Sequence, residues 1–296
     1  MNKIGRLEIT NSNFIGGFDF WRSTLGDFSI IKNSSLGEIK ASQSDFGIET
    51  EFRDVDFLER VDFTELKSKK TTLQFKNCTF QKSTYFDNST VLKLGFTSVA
   101  FQGITSFQQL DCLHLIKFTN SYFEKIGYFQ GVKIGDENSL DSTTIQIIKG
   151  QLLKSESKID YLKYNALEQK KHFKKLTIND PDFYTLLLNS KSNDFGRNWF
   201  KGLKFTFQIS FFFFLIMIMV NSFIASNYPL IFDLNNPFAS TSTILLEYLK
   251  FTFSLGLESK EFQSNGYLYL IFIIAKIFIG YGIYQTITAF RKYGKM

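Results

Sequence analysis

The feature that most restricts the fold of this chain is a triplet of phenylalanines that returns about every 22 residues. Phe52, Phe57 and Phe63 recur as Phe75, Phe80 and Phe86, then as Phe96, Phe101 and Phe107, then as Phe118, Phe123 and Phe129. Within each triplet the offsets are 5 and 6 residues, and the triplets advance by 23, 21 and 22. Two earlier turns keep the phase, with Ile9, Phe14 and Phe20, then Ile31, Leu36 and, at the third position, the polar Ser42. A parallel β-solenoid requires such a pattern, because each coil buries its ring of side chains only between neighbouring coils. A β-sandwich would not hold triplets in register, and the Leu-x-Leu and Asn pattern of leucine-rich repeats is absent. Six coils at about 4.8 Å each predict a rod roughly 29 Å long.

Two residues before several of these positions the side chain is small, as at Ser12, Cys78, Thr105 and Ser121, or is valine, as at Val55, Val61 and Val99. On these residues the chain resembles degenerate pentapeptide-repeat proteins. That resemblance implies a right-handed, quadrilateral parallel β-helix over residues 1–150, with the uneven 5-and-6 spacing predicting some longer or bulged sides. The first proline is Pro181, which suits a domain whose amides must donate to the next coil. Cys78 and Cys112 fall in different coils and read as small buried side chains with no disulfide framework.

The charge is uneven along the chain. Residues 151–205 carry 11 Lys and Arg against 6 Asp and Glu, whereas residues 1–150 carry 17 against 18. In the basic segment Ile159, Leu162, Ala166 and Phe173 recur at roughly helical spacing, predicting an amphipathic connector helix from about Leu152 to Leu176. Its lysines suit a solvated face near anionic lipid, and Lys163, Lys170, Lys171, Lys174 and Lys175 are the candidates for binding a polyanion. Tyr161, Tyr164 and Phe173 interleave with them, placed either to stack on bases of a single strand or to pack on the end of the solenoid. Asp180 and Pro181 mark the start of a further helix that ends near Gly196, and the whole connector is assigned to 151–204.

Residues 205–296 read as a membrane hairpin. Residues 205–225 and about Tyr267–Phe290 are long and apolar enough to cross a hydrocarbon core of about 30 Å. Arg197, Lys201 and Lys204 before the first, with Arg291, Lys292 and Lys295 after the second, predict both termini in the cytoplasm, and Asp233, Glu247, Glu258 and Glu261 against Lys250 and Lys260 predict an outside connection. The opening residues lack the apolar core of a secretory signal, which agrees with a cytoplasmic first half. Between the spans, Ser240 to Thr243 are placed to cap a helix over about 244–257, too short to cross, that lies in the interface or re-enters.

Lys276 lies in mid-span, and cations there face a bundle interior or a watery cavity. With Gly280, Tyr281, Tyr284, Gln285 and Thr288 on the same helix, and Asn221 near the far end of the first span, it outlines a candidate pore-lining band. A single hairpin cannot bury such a band, so a homo-oligomeric ring around an aqueous path is expected, the alternative being a snorkelling lysine with small-residue packing. Gly280-Tyr281-Gly282 is no potassium filter, because it lies within the span rather than in a loop between spans.

The run IFIGYGIYQTITAFRKYGK, with NSKSNDFGRNWFKGLKFTF before the first span, resembles pentapeptide-repeat membrane proteins of Bacteroidetes-type bacteria. The architecture also resembles the channel effectors of Hailong anti-phage systems. That resemblance implies a tetramer in the inner membrane and an inhibitory single-stranded DNA ligand made by a partner nucleotidyltransferase. A membrane-tethered scaffold that binds a protein partner is the alternative function. No cofactor, metal or catalytic residue is expected, since His114 and His172 lack metal-ligand spacing and no hydrolase, zincin or P-loop motif occurs. The carboxylates Asp54, Asp56, Glu59, Asp62 and Glu65 alternate with Arg53 and Arg60, as on a solvated face.

Overall fold

The computed structural model describes residues 2, 3, 5–224, 237–254 and 266–291, with side chains over 5–220, 241–254 and 266–291. The chain forms two compact units, Met1–Lys171 and His172–Met296.

The first unit is a parallel β-solenoid of about six turns. Its register follows the repeat: Ile9, Ile31, Phe52, Phe75, Phe96 and Phe118 pair in one row. Phe14, Leu36, Phe57, Phe80, Phe101 and Phe123 form a second row. Identical rings lie flat on one another along each row, as in Phe57–Phe80 at 4.4 Å and 2° and Phe75–Phe96 at 5.2 Å and 8°. Rings from different rows meet edge to face, as in Phe86–Phe96 at 5.8 Å and 81°. The edge-to-face contacts match the quadrupole preference of aromatic pairs, and the stacked ones follow from the spacing of neighbouring coils.

The third row corrects the expectation at Ser42. Backbone pairing runs from Phe20 to Ala41 and from Ala41 to Phe63, through Phe20 N to Lys40 O at 2.7 Å and Ala41 N to Asp62 O at 2.8 Å. This coil is one residue shorter between its second and third rows, so the core position falls on Ala41. The missing ring is supplied from further along the coil: Phe46 is buried, with its centroid 6.3 Å from Phe20 and 5.6 Å from Phe63.

The corners of the coils carry a pattern of their own. From Asn11 to Asn120, 11 non-glycine residues take φ between 50° and 58°, in two series that each follow a core row by two residues. The first series is Asn11, Asn33, Asp54, Asn77, Ser98 and Asn120. Short polar side chains tolerate the left-handed region best. They also bond along the stack, Asn33 Nδ2 to Asn11 Oδ1 at 3.1 Å and Asn77 Nδ2 to Asp54 Oδ1 at 3.0 Å.

Helices α1 (Ser142–Lys154) and α2 (Lys158–Phe173) close the last coil. Asp141 caps α1 by accepting from Thr144 N, and Ile145, Ile148 and Leu152 bury against the terminal rings. Amides of the last coil, with no further coil to accept them, donate to side chains instead: Phe118 N to Thr144 Oγ1 at 2.9 Å, Gly127 N to Gln151 Oε1 at 3.0 Å and Gly131 N to Asp160 Oδ2 at 3.0 Å. A solenoid end covered in this way offers no open sheet edge. The expected single connector helix is thus two, broken at Ser155–Ser157, and α2 buries Tyr164, Ala166 and Leu167 while Ile159 is 63% exposed.

The second unit contains α3 (Pro181–Asn193), α4 (Trp199–Ile224), α5 (Pro237–Phe253) and α6 (Gly266–Phe290). Helices α4 and α6 are long and apolar enough to cross a membrane, at about 39 and 37 Å for 1.5 Å per residue. They run antiparallel, since Gly202 meets Thr286 and Gly282 meets Thr206. Helix α5, about 25 Å long, begins at Pro237, whose fixed φ suits the first helical turn; Ser240 to Thr243 therefore lie inside it and do not cap it. Residues 255–257 and the charges at Asp233, Glu258, Lys260, Glu261, Lys292 and Lys295 lie outside the described residues, as does the side chain of Asn221.

Candidate functional site

The close approach of α4 and α6 depends on small residues. A Cβ on Gly282 would stand 2.5 Å from Thr206 Oγ1 and 3.1 Å from its Cα, and one on Gly202 would stand 2.8 Å from Thr286 Oγ1. Each threonine hydroxyl donates four residues back along its own helix, Thr206 to Gly202 O and Thr286 to Gly282 O at 2.9 Å, so it presents only a methyl and a satisfied oxygen. Further along, Phe214 and Met217 of α4 pack with Phe251 of α5 and Leu268, Phe272, Ala275 and Ile279 of α6.

On this apolar frame the candidate band of α6 divides into three. Lys276 points to the C-terminus of α5, where Nζ donates to Phe251 O at 2.5 Å and Thr252 O at 3.3 Å. The rings of Phe272 and Phe251 lie 5.0 and 5.5 Å from the ammonium. The carbonyls of a last helical turn and the negative end of a helix dipole make this a favourable place for a cation, and the aromatic faces add to it. Helix α5 is tied to α4 as well, by Ser210 to Thr252 at 2.6 Å and by Tyr248 OH to Phe207 O at 2.9 Å.

Tyr281 and Gln285 face α3. The tyrosine hydroxyl donates to Asn189 Oδ1 at 2.8 Å, and Gln285 Nε2 donates to the same oxygen at 3.1 Å. Asn193 Nδ2 in turn donates to Gln285 O at 3.1 Å and to its Oε1 at 2.5 Å. Gln285 and Asn193 are 7% and 1% exposed, so these bonds replace water that the site excludes. Just after α3, Asp194, Phe195 and Gly196 take φ of 53°, 58° and 82°, a left-handed elbow into α4 that is costly for a phenylalanine.

Gly280, Tyr284 and Thr288 face outward from α6 and are exposed. Lys276, Tyr281 and Gln285 differ from them in having partners on other helices of the unit. Asn189 and Asn193 were not among the sequence candidates, although their i, i+4 spacing on α3 matches that of Tyr281 and Gln285 on α6.

The connector lysines are scattered. Lys163 pairs with Glu137 at 2.5 Å and Lys171 donates to Asn138 O at 2.8 Å. Lys170 is half-buried on α2, and Lys174 and Lys175 are exposed beyond its end. Of the interleaved aromatics, Tyr164 and Tyr161 pack into the solenoid core, and Phe173 lies 5.2 Å from Phe183. Among the described residues no group of three or more His, Cys, Asp or Glu is placed to hold a metal. No protein-family model, curated protein or solved structure matches the chain.

Proposed function

We propose that the chain is one subunit of an oligomeric, ion-channel-like membrane effector gated through its β-solenoid, whose opening collapses the potential of a bacterial inner membrane during defence against phage. The observation that carries this reading is the polar content of α6, which holds Lys276, Tyr281, Gln285 and Thr286 toward the rest of its unit while Gly280, Tyr284 and Thr288 face outward. An anchor needs none of these groups, whereas ionisable and polar residues within spans mark pathways and helix contacts. A closed ring of copies turns the outward polar faces toward one axis. The resemblance to Hailong effectors supplies the trigger, release of an inhibitory single-stranded DNA, for which the exposed Lys174 and Lys175 remain the candidate contacts. The proposal assigns the chain no catalysis.

The test is the full chain in a planar bilayer, with and without single-stranded DNA oligomers. Discrete conductance steps suppressed by the oligomers support the reading; silence under every condition, together with a monomeric mass in detergent, overturns it.

A specific observation favours a second reading, the membrane-tethered scaffold. Tyr281, Gln285 and Lys276 all find partners inside the chain, as residues of a purely structural hairpin would. Replacing residues 205–290 by two generic Leu-rich spans keeps function under the scaffold reading and abolishes it under the channel reading.

A further inference from the structure

The first turns of α4 carry a shallow, open groove along one face of the helix, lined by Phe200, Leu203, Lys204, Phe207, Gln208 and Phe211. Its walls are aromatic and aliphatic, and its polar atoms come from Lys204 and Gln208, one turn apart on one face of the helix. The neighbouring cations are engaged within the chain, Lys201 by Ser190 O at 2.6 Å and Arg197 by Asp194 at 3.4 Å. Lys204 and Gln208 are both exposed.

Depth decides what can meet them. Counting back from Ile224, the 20 or so residues that span about 30 Å of hydrocarbon begin near Phe205. Lys204 thus lies at the headgroup boundary, and Gln208 lies about 6 Å deeper along the axis. An amide at that depth needs a hydrogen-bond partner that hydrocarbon does not offer. A glycerol ester carbonyl offers one, and the phosphate above it answers the lysine. A twofold contact between two such grooves would instead set Lys204 against its own copy, a like-charge pair.

We propose that this groove is a binding site for an anionic phospholipid, whose phosphate pairs with Lys204, whose ester carbonyl accepts from Gln208 and whose acyl chain lies along Phe207 and Phe211. Phe200 and Leu203 wall the headgroup end. The site rests on the reading of α4 as a membrane span, not on ion conduction.

The experiment is native mass spectrometry of the full chain in a non-ionic detergent, titrated with phosphatidylglycerol or with phosphatidylcholine of the same acyl chains. The wild type is expected to prefer phosphatidylglycerol by about five- to tenfold, the contribution of one lysine near a charged headgroup. Lys204→Ala brings the ratio toward one, Lys204→Arg keeps it, and Gln208→Leu weakens binding of both lipids. Because each protein is compared with itself on two lipids, a change in overall stability does not mimic the result. An unchanged ratio in Lys204→Ala overturns the site, as does inorganic phosphate displacing phosphatidylglycerol, or a dimer that forms only when Lys204 is intact. Extraction of the chain from membranes by alkaline carbonate removes the span and the site together, whereas an integral protein with no lipid preference removes the site alone.

Discussion

The ammonium of Lys276 lies 2.5 Å from the carbonyl oxygen of Phe251, so the lysine inside α6 serves as a donor to the last turn of α5. An intramembrane cation read from sequence as facing a water-filled path is here also a structural tie. Lys276→Met removes the bonds to the Phe251 and Thr252 carbonyls, at a cost of about 1–3 kcal/mol. Lys276→Arg keeps a donor there. Thermal unfolding of the purified chain should show a lower midpoint for the methionine variant and little change for the arginine variant. Equal stability of all three would mean that the Lys276 bonds do not hold α5 in place.

The contact of α4 with α6 distinguishes two glycines only two residues apart. Gly282→Ala places a Cβ against the Thr206 backbone and should cost about 1–3 kcal/mol through overpacking. Gly280→Ala meets nothing within 4 Å, and the better helix propensity of alanine should stabilise by up to about 1 kcal/mol. Opposite shifts in the unfolding midpoint are the expected outcome. If outward Gly280 lines a conducting path in the oligomer, its variant changes single-channel conductance without lowering stability.

Gln285→Leu tests the link between α3 and α6. The substitution removes the Gln285 side-chain bonds to Asn189 and Asn193, while Tyr281 still donates to Asn189 Oδ1 and Asn193 Nδ2 still donates to the backbone oxygen of residue 285, so the loss is about 1 kcal/mol. Hydrogen exchange should quicken in α3 more than in the solenoid. Protection of residues 181–193 at the wild-type level would show that the polar cluster does not hold α3 in place.

Much of this architecture is legible in the sequence, and the failures have physical causes. The phenylalanine rows are readable because a solenoid stacks like on like, so one period repeats the same side chain. The corner series Asn11, Asn33, Asn77 and Asn120 is equally periodic, and its meaning follows from the left-handed backbone that asparagine tolerates. Ala41 is not readable from phase alone, because a one-residue shortening shifts the side and a ring from elsewhere in the coil refills the volume. Likewise Ile159 satisfies the helical period of α2 yet is exposed in its first turn, because what packs against a given turn is set by tertiary structure and not by periodicity. Lys276 and Gln285 are conspicuous as polar residues in an apolar run, but their partners on α5 and α3 are set by tertiary packing.

Both cysteines should resist thiol reagents in the folded chain. Burial pushes the Cys78 thiol up to about 12 and the Cys112 thiol up to about 11. The folded state therefore holds these protons to higher pH than the unfolded chain, whose thiols ionise near 9.0. This contribution to stability is fully present below that value and is lost as pH rises through the folded pKa values. Alkylation at pH 8 should follow global unfolding rather than the intrinsic reactivity of a thiol. Rapid labelling without loss of structure would place either side chain at the surface.

The exchange of volume between Ala41 and Phe46 gives the sharpest test of the solenoid's register. Ala41 is fully buried between Phe20 and Phe63, and Phe46 occupies the space that a ring on residue 41 would take. Ala41→Phe alone overpacks the coil, by about 1–3 kcal/mol. Phe46→Ala alone leaves a cavity, at about 3–5 kcal/mol. Combined, the two changes restore a ring at the third-row position, as Phe20 and Phe63 provide in the neighbouring coils. The double variant should then recover much of the loss, with a coupling energy of about 1–3 kcal/mol in a double-mutant cycle followed by chemical denaturation. If Ser42 rather than Ala41 faced the core, Ala41→Phe would place its ring in solvent at little cost and the cycle would show additivity.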